Sequence, residues 1–206
     1  MRFFSRSFFY PKDSDIKLLL TGDSIIARSE NHSIPELNFQ LQKILSCDIY
    51  NTAISGINSG GLALSLPNLV FNQPKCNYLI ILVGTNDLAT HKQVPLRQFE
   101  KNLDLIASSI IWLYYPEKVI FITPPAVDEN KQRVRSNRLV MEYSNIVKKV
   151  ASEYKFSVID LASKMEENIS FPEIFNGKKN DGLHFGVNGY KLLANLIVKK
   201  INQISN

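Results

Sequence analysis

The apolar run at Lys17–Thr21 stops at Gly22-Asp23-Ser24, and the pattern of a short apolar run closed by a polar turn recurs along the chain. Cys47–Asn51, Tyr78–Val83, Val119–Ile122 and Ser157–Ile159 are further runs of strand length, and Tyr78–Val83 is continuously apolar, as a strand buried on both faces requires. Between them lie stretches with helical spacing. Ser33, with Pro35 in the first turn and Glu36 three residues on, predicts a capped helix with Leu37, Leu41, Ile44 and Leu45 on one face. A second helix is expected to begin within the glycine-rich loop Ser55–Gly61 and to end before Pro74. Pro95 opens a long helix carrying Phe99, Leu103, Ile106, Ile110 and Leu113. A polar segment after Pro124-Pro125 leads into a helix through Tyr154, and the last helix, from about Asn188 to Ile204, carries Leu192, Leu193, Leu196, Ile197 and Ile201. Strands alternating with helices predict an α/β fold: one three-layer domain, a five-stranded parallel sheet with right-handed crossovers and helices on both faces.

The 206 residues suit one domain with a sizeable core, and 45% hydrophobic with 21% charged residues is the composition of an ordinary soluble globular protein. A net charge of +5 helps to attract anionic substrates or surfaces, but no basic stripe interleaved with aromatics argues for nucleic acid. No apolar run approaches the length of a membrane span, so no stable membrane insertion is expected. Cys47 and Cys76 make no disulfide framework, and no Cys/His cluster has zinc-ligand spacing. Neither a metal nor a cofactor is expected, and a reducing, cytoplasmic interior fits best. Met1 to Tyr10 carry two arginines and five aromatics, but Arg6 and Ser7 interrupt any secretory core. Residues 1–13 therefore read as an N-terminal extension laid on a domain of residues 14–206, or as a dimer contact. A homo-oligomer stays open.

In a parallel sheet the loops after the strands open on one rim, where such folds bind ligands. Four polar sets fall there: Gly22-Asp23-Ser24, Asn51 through Gly61, Gly84-Thr85-Asn86-Asp87, and Asp181-Gly182-Leu183-His184 before the last helix. Each piece has a plainer use. Asn86 and Asp87 can cap a helix, the glycines can permit turns, and His184 can be a surface residue. Together they supply a hydroxyl, a base with a carboxylate three residues earlier, glycine N–H groups and an amide, which is the inventory of acyl transfer.

These four sets resemble, in order and spacing, the signature blocks of the SGNH hydrolases, also called the GDSL family of esterases and lipases. The similarity spans residues 18–190, with Ile25 where leucine is frequent and Thr85 in place of a smaller residue. Ile122-Thr-Pro-Pro125 and the ending Asp181 through Tyr190 resemble the isoamyl-acetate-hydrolysing esterases and their bacterial lysophospholipase- or acetylhydrolase-like relatives. The resemblance implies the flavodoxin-like SGNH fold and a serine esterase acting on a small-molecule ester of short acyl chain, acetyl to butyryl. It implies Ser24 as nucleophile, His184 as general base and then acid, and Asp181 as the carboxylate that orients His184. The oxyanion hole would be the N–H groups of Ser24 and Gly56 with the Asn86 side chain, and Asp23 and Asp87 would support the loops. A lysophospholipase, a thioesterase or an acetyl-sugar esterase on the same site is the alternative. Arg133, Arg135 and Arg138 are either a solvated helix start or a site for an anionic group, and Arg28 carries the same two readings. A phosphate-binding module lacks its glycine loop here. A metal hydrolase built on Asp23, Asp87, Asp181 and His184 would leave Ser24 unexplained, and a non-catalytic binding protein would leave the whole set without a use.

Overall fold

A computed structural model of the protein describes residues 16–169 and 171–205. The expected N-terminal extension lies outside the described residues. Five strands form one parallel sheet: β1 (Ile16–Gly22), β2 (Cys47–Asn51), β3 (Tyr78–Leu82), β4 (Val119–Ile122) and β5 (Ser157–Ile159), in the order β2-β1-β3-β4-β5. The seven α-helices among the described residues are α1 (Ser24–Ala27), α2 (Glu36–Ile44), α3 (Ser59–Leu66), α4 (Leu96–Ile110), α5 (Asn137–Glu153), α6 (Leu161–Glu166) and α7 (Val187–Ser205). The strand order doubles back after β1, so successive right-handed crossovers put α2 on one face with α7, and α3, α4 and α5 on the other. The expected three-layer α/β fold is the observed one.

Burial explains the strand sequences. Leu18, Leu19, Leu20 and every residue of β3 and β4 are buried, as a sheet covered on both faces demands. The register pairs Gly22 with Leu82 and Leu82 with Ile122, so the strands finish level with one another and their loops share one rim. The chain departs from the 2-1 neighbours to the 3-4-5 neighbours between β1 and β3. Ligands of such sheets bind at that switch point.

Two local expectations are corrected. Ser33 does not cap α2: the helix starts at Glu36, with Pro35 in the capping position and no side-chain cap. The Glu36 carboxylate is instead buried, accepting from the Asn31 N–H at 3.1 Å, His32 Nδ1 at 2.8 Å and Gln40 Nε2 at 2.7 Å. Three donors satisfy a buried carboxylate better than one reach back to Ser33 would. Leu113 falls beyond the end of α4 and is half exposed, because the helix unwinds at Ile111, ahead of Pro116.

Candidate active site

The turn after β1 depends on a missing side chain. Gly22 has φ +141°, and a Cβ there would sit 2.0 Å from the Leu82 carbonyl oxygen of the neighbouring strand. The chain thus turns against β3 at a distance only glycine allows. Asp23 fastens the turn: its N–H donates to Leu82 O at 3.2 Å, and its carboxylate accepts from the Ile25 N–H at 2.9 Å, capping α1. Ser24 is thereby the first residue of α1, with 9% of its surface exposed. Asp23 itself is fully buried. Burial pushes its carboxyl up to about 6, against the pull of the Ile25 N–H and the more distant Arg135.

At the other end of the chain, Asn180 (φ 47°) and Gly182 (φ 72°) make a tight turn ahead of α7. Asp181 Oδ1 accepts from the N–H groups of Leu183 at 3.1 Å and His184 at 2.9 Å. Its Oδ2 lies 2.7 Å from His184 Nδ1, and His184 Nε2 lies 3.0 Å from Ser24 Oγ. A carboxylate can only accept, so Nδ1 carries the proton and Nε2 is left to accept from the serine. Burial holds the imidazole below the usual histidine range, an effect reinforced by Lys179 and Arg28 and opposed by Asp181. Burial alone would raise Asp181, but the His184 and Leu183 hydrogen bonds outweigh it and hold the carboxyl below its ordinary value. The arrangement is a neutral base against a hydroxyl, with an anion behind it.

The donors come from the two neighbouring loops. Gly56 has φ +86° with open space around its Cα, so glycine is required there by conformation and not by room. Among the described residues, no backbone or side-chain acceptor takes the N–H of Ser24 or of Gly56. Asn86 Nδ2 donates one hydrogen to Ile57 O at 2.8 Å, which leaves the other for the cavity that Asn86 lines. Asp87 joins the two loops: its carboxylate accepts from the Ser59 N–H at 2.9 and 3.1 Å and from the Ser59 hydroxyl, at the first turn of α3. Burial raises the Asp87 carboxyl, and the Ser59 donors oppose it. Asp23 and Asp87 thus hold loops, while Ser24, Gly56, Asn86, Asp181 and His184 all line one cavity of about 360 Å³.

The arginine question divides. Arg138 is exposed and pairs with Glu142, and Arg133 is exposed. Arg135 is half-buried and lines the cavity, as does Arg28. Ser55 and Leu183 line it too, from within two of the sequence sets, and so do Lys179 and Gln132, for which the chain carries no local signal. A larger cleft of about 450 Å³ lies at the opposite end of the sheet, beside Asn77, Trp112 and Tyr115, but among the described residues neither a histidine nor a carboxylate lines it. Among the described residues no group of three or more His, Cys, Asp or Glu side chains is gathered as metal ligands would be, and no helix is long and apolar enough to cross a membrane.

Comparison with known proteins bears on the family and the fold. The sequence model of the GDSL-like Lipase/Acylhydrolase family matches residues 20–192. The isoamyl acetate-hydrolyzing esterase 1 homolog of Homo sapiens is 28% identical over 91% of this chain and 84% of its own length. The isoamyl acetate-hydrolyzing esterase of Saccharomyces cerevisiae is 27% identical over 75% of this chain and 68% of its own. Among solved structures, the lipase/acylhydrolase from Enterococcus faecalis superposes with a TM-score of 0.79 at 27% identity, covering 91% of this chain and 96% of that one.

Proposed function

Because the chain belongs to the GDSL-like lipase/acylhydrolase family and is a carboxylic ester hydrolase, we propose that it works through a Ser24 acyl-enzyme on esters of short acyl chain. The observation that carries the mechanism is the hydrogen-bonded line from Ser24 Oγ through His184 to Asp181, with contacts of 3.0 and 2.7 Å. A serine hydroxyl is a poor nucleophile until a base takes its proton. His184 Nε2 takes it as Oγ attacks the ester carbonyl, and the imidazolium that forms faces the Asp181 carboxylate. The negative charge that grows on the carbonyl oxygen meets the N–H groups of Ser24 and Gly56 and the free N–H of Asn86. His184 then gives its proton to the departing alcohol. A water molecule, deprotonated in turn by His184, releases the acid and restores Ser24.

Two observations support a short acyl group. Among the described residues Leu183 supplies the one apolar side chain lining the cavity, little to hold a long hydrocarbon tail. Relatives bear the name of an acetate ester. We further propose a reducing compartment such as the cytoplasm, a reading supported by two free, buried thiols, Cys47 and Cys76.

The test uses p-nitrophenyl esters from acetate to laurate, together with a fluorophosphonate probe. Turnover should peak between acetyl and butyryl, and the probe should label wild type once and Ser24→Ala not at all. Labelling that survives Ser24→Ala overturns the acyl-enzyme. A maximum at dodecanoyl overturns the short-chain reading and favours a lysophospholipase.

A further inference from the structure

The cavity around Ser24 holds more positive charge than a neutral ester would use. Among the described residues, Arg28, Arg135 and Lys179 line it against a single carboxylate, Asp181, which is already hydrogen-bonded to His184. Lys92 stands close by, with its Nζ 3.4 Å from Asn86 Oδ1. Of the two guanidiniums, Arg135 has no ion pair among the described residues, and Arg28 has one, to Glu30. Arg135 donates from Nε to the Thr85 carbonyl at 2.8 Å and from Nη1 to Gln132 Oε1 at 3.3 Å, both neutral acceptors. Asp23 and Asp181 act on it without a direct ion pair, and burial pulls its pKa down. Arg28 makes a single long ion pair, to Glu30 at 3.9 Å, and the same carboxylate also accepts from the Lys178 N–H at 2.9 and 3.1 Å. The Nε of Arg28 is buried with no hydrogen-bond partner among the described residues.

A half-buried guanidinium without a counter-ion carries a desolvation cost, and an unpartnered buried N–H adds to it. Arg135 meets the first condition and the Nε of Arg28 the second, and two guanidiniums facing one cavity can bind carboxylate or phosphate, whose oxygens match the guanidinium fork. We propose that this esterase recognises esters bearing an anionic group, carboxylate or phosphate, close to the scissile bond, held between Arg28 and Arg135 with Lys179 at the mouth. This rests on the reading of Ser24 as nucleophile. The chemistry of the step is unchanged: water is added across the acyl–oxygen bond, and the anion stays on whichever product carries it.

Matched substrates decide the matter at low ionic strength and above the His184 ionisation. The alcohol-side pair is 4-acetoxybenzoate against 4-acetoxybenzamide; the acyl-side pair is p-nitrophenyl hemiadipate against its methyl ester. In one pair the charged ester should have a kcat/KM about tenfold or more above its neutral partner, carried mainly by KM, with the gap closing as salt is added. Arg28→Gln and Lys179→Gln should each reduce turnover of the charged ester several-fold more than that of the neutral one. Arg135 is avoided because it also holds the Thr85 carbonyl. Ratios near one in both pairs, or equal losses on both members of a pair, overturn the proposal while leaving the esterase reading intact. If no ester is turned over, the nucleophile reading fails, and thermal shift with inorganic phosphate still tests the anion site. A rise in Tm that Arg28→Gln abolishes supports it; no rise in wild type overturns it.

Discussion

Asn86 gives one of its two amide hydrogens to the Ile57 carbonyl, at 2.8 Å, and so fixes the direction of the other. Since Ile57 follows Gly56, this single bond sets two of the proposed oxyanion donors relative to each other. Asn86→Ala should therefore lower kcat by about 10²–10³, equivalent to about 2.7–4 kcal/mol, the range for removing one such donor in a hydrolase. KM should change little, because the donor acts on charge that exists only in the transition state. Steady-state kinetics on p-nitrophenyl acetate check this. A variant with raised KM and undiminished kcat would make Asn86 a ground-state binding residue.

The pH profile follows from His184. The base must be neutral, and burial with the charges of Lys179 and Arg28 holds its pKa below the usual 6.5. Reading the sequence alone suggests an ionisation near 6–7; the structure moves the expectation downward. In the free enzyme, kcat/KM should rise through one ionisation below about 6.5 and be level at neutral pH. Lys179→Gln removes one of the charges that favour the neutral ring, so its ascending limb should move to higher pH. A limb that stays in place or moves lower would show that Lys179 does not act on the imidazole.

Two glycines make opposite demands. At Gly22 a Cβ would collide with the Leu82 carbonyl oxygen at 2.0 Å, so Gly22→Ala has to push β1 and β3 apart and should not yield a stable fold. At Gly56 nothing lies within 4 Å of a Cβ, but φ is +86°. Gly56→Ala should fold with a loss of about 1–2 kcal/mol. Its activity should fall more than its stability, because relaxing φ turns the N–H away from the cavity. Urea unfolding beside kcat separates the two effects. Equal stability losses at both sites would contradict the geometry.

Asp23 predicts a pH-dependent stability. Its folded pKa is raised from 3.8 to about 6, so the folded state holds the proton more tightly than the unfolded chain. The contribution of this group is fully present below about pH 4 and is lost as pH rises through 6, by about 3 kcal/mol in all. Asp23→Asn does not titrate. Relative to wild type, its stability should improve by up to that amount between pH 4 and pH 7, whatever the offset at either end. Urea melts at the two pH values measure the difference. A constant offset would mean that the Asp23 charge is compensated inside the fold, with Arg135 the nearest candidate.

How much of this was legible beforehand depended on whether the signal was local. Cys47–Asn51, Val119–Ile122 and Ser157–Ile159 coincide with β2, β4 and β5 residue for residue, because apolar runs bounded by turn residues carry their own boundaries. Ser24, Gly56, Asn86, Asp181 and His184 were found together because each sits in a short motif at a strand or helix end. Arg135 was one of three equivalent arginines in the sequence. Its separation from Arg133 and Arg138 depends on a bond to Thr85, 50 residues away. Lys179 and Gln132 carry no motif, and their place at the cavity follows from how two loops meet. Ser33 misled because a cap was inferred without the competing donors, His32 and Gln40, that the folded chain brings to Glu36.

Asp181 offers the sharpest division between a residue that shapes a turn and one that acts in the reaction. Its Oδ1 accepts two backbone N–H bonds, from Leu183 and His184, and an amide oxygen could accept the same two. Asp181→Asn should therefore keep the turn and the fold. What changes is the partner of His184 Nδ1, 2.7 Å away. An amide N–H₂ there donates, so the ring proton moves to Nε2, which then faces Ser24 as a donor and cannot accept its proton. The imidazolium formed during attack also loses its anion. In a serine protease the corresponding change costs about 10⁴ in kcat. The Asp181 side chain is 36% exposed, so water can replace part of the lost support, and a loss of about 10²–10⁴ in kcat is expected with KM within a few-fold. A melting temperature close to wild type must accompany it. Wild-type turnover in Asp181→Asn would reduce the carboxylate to a turn former and leave Ser24 and His184 to work as a pair.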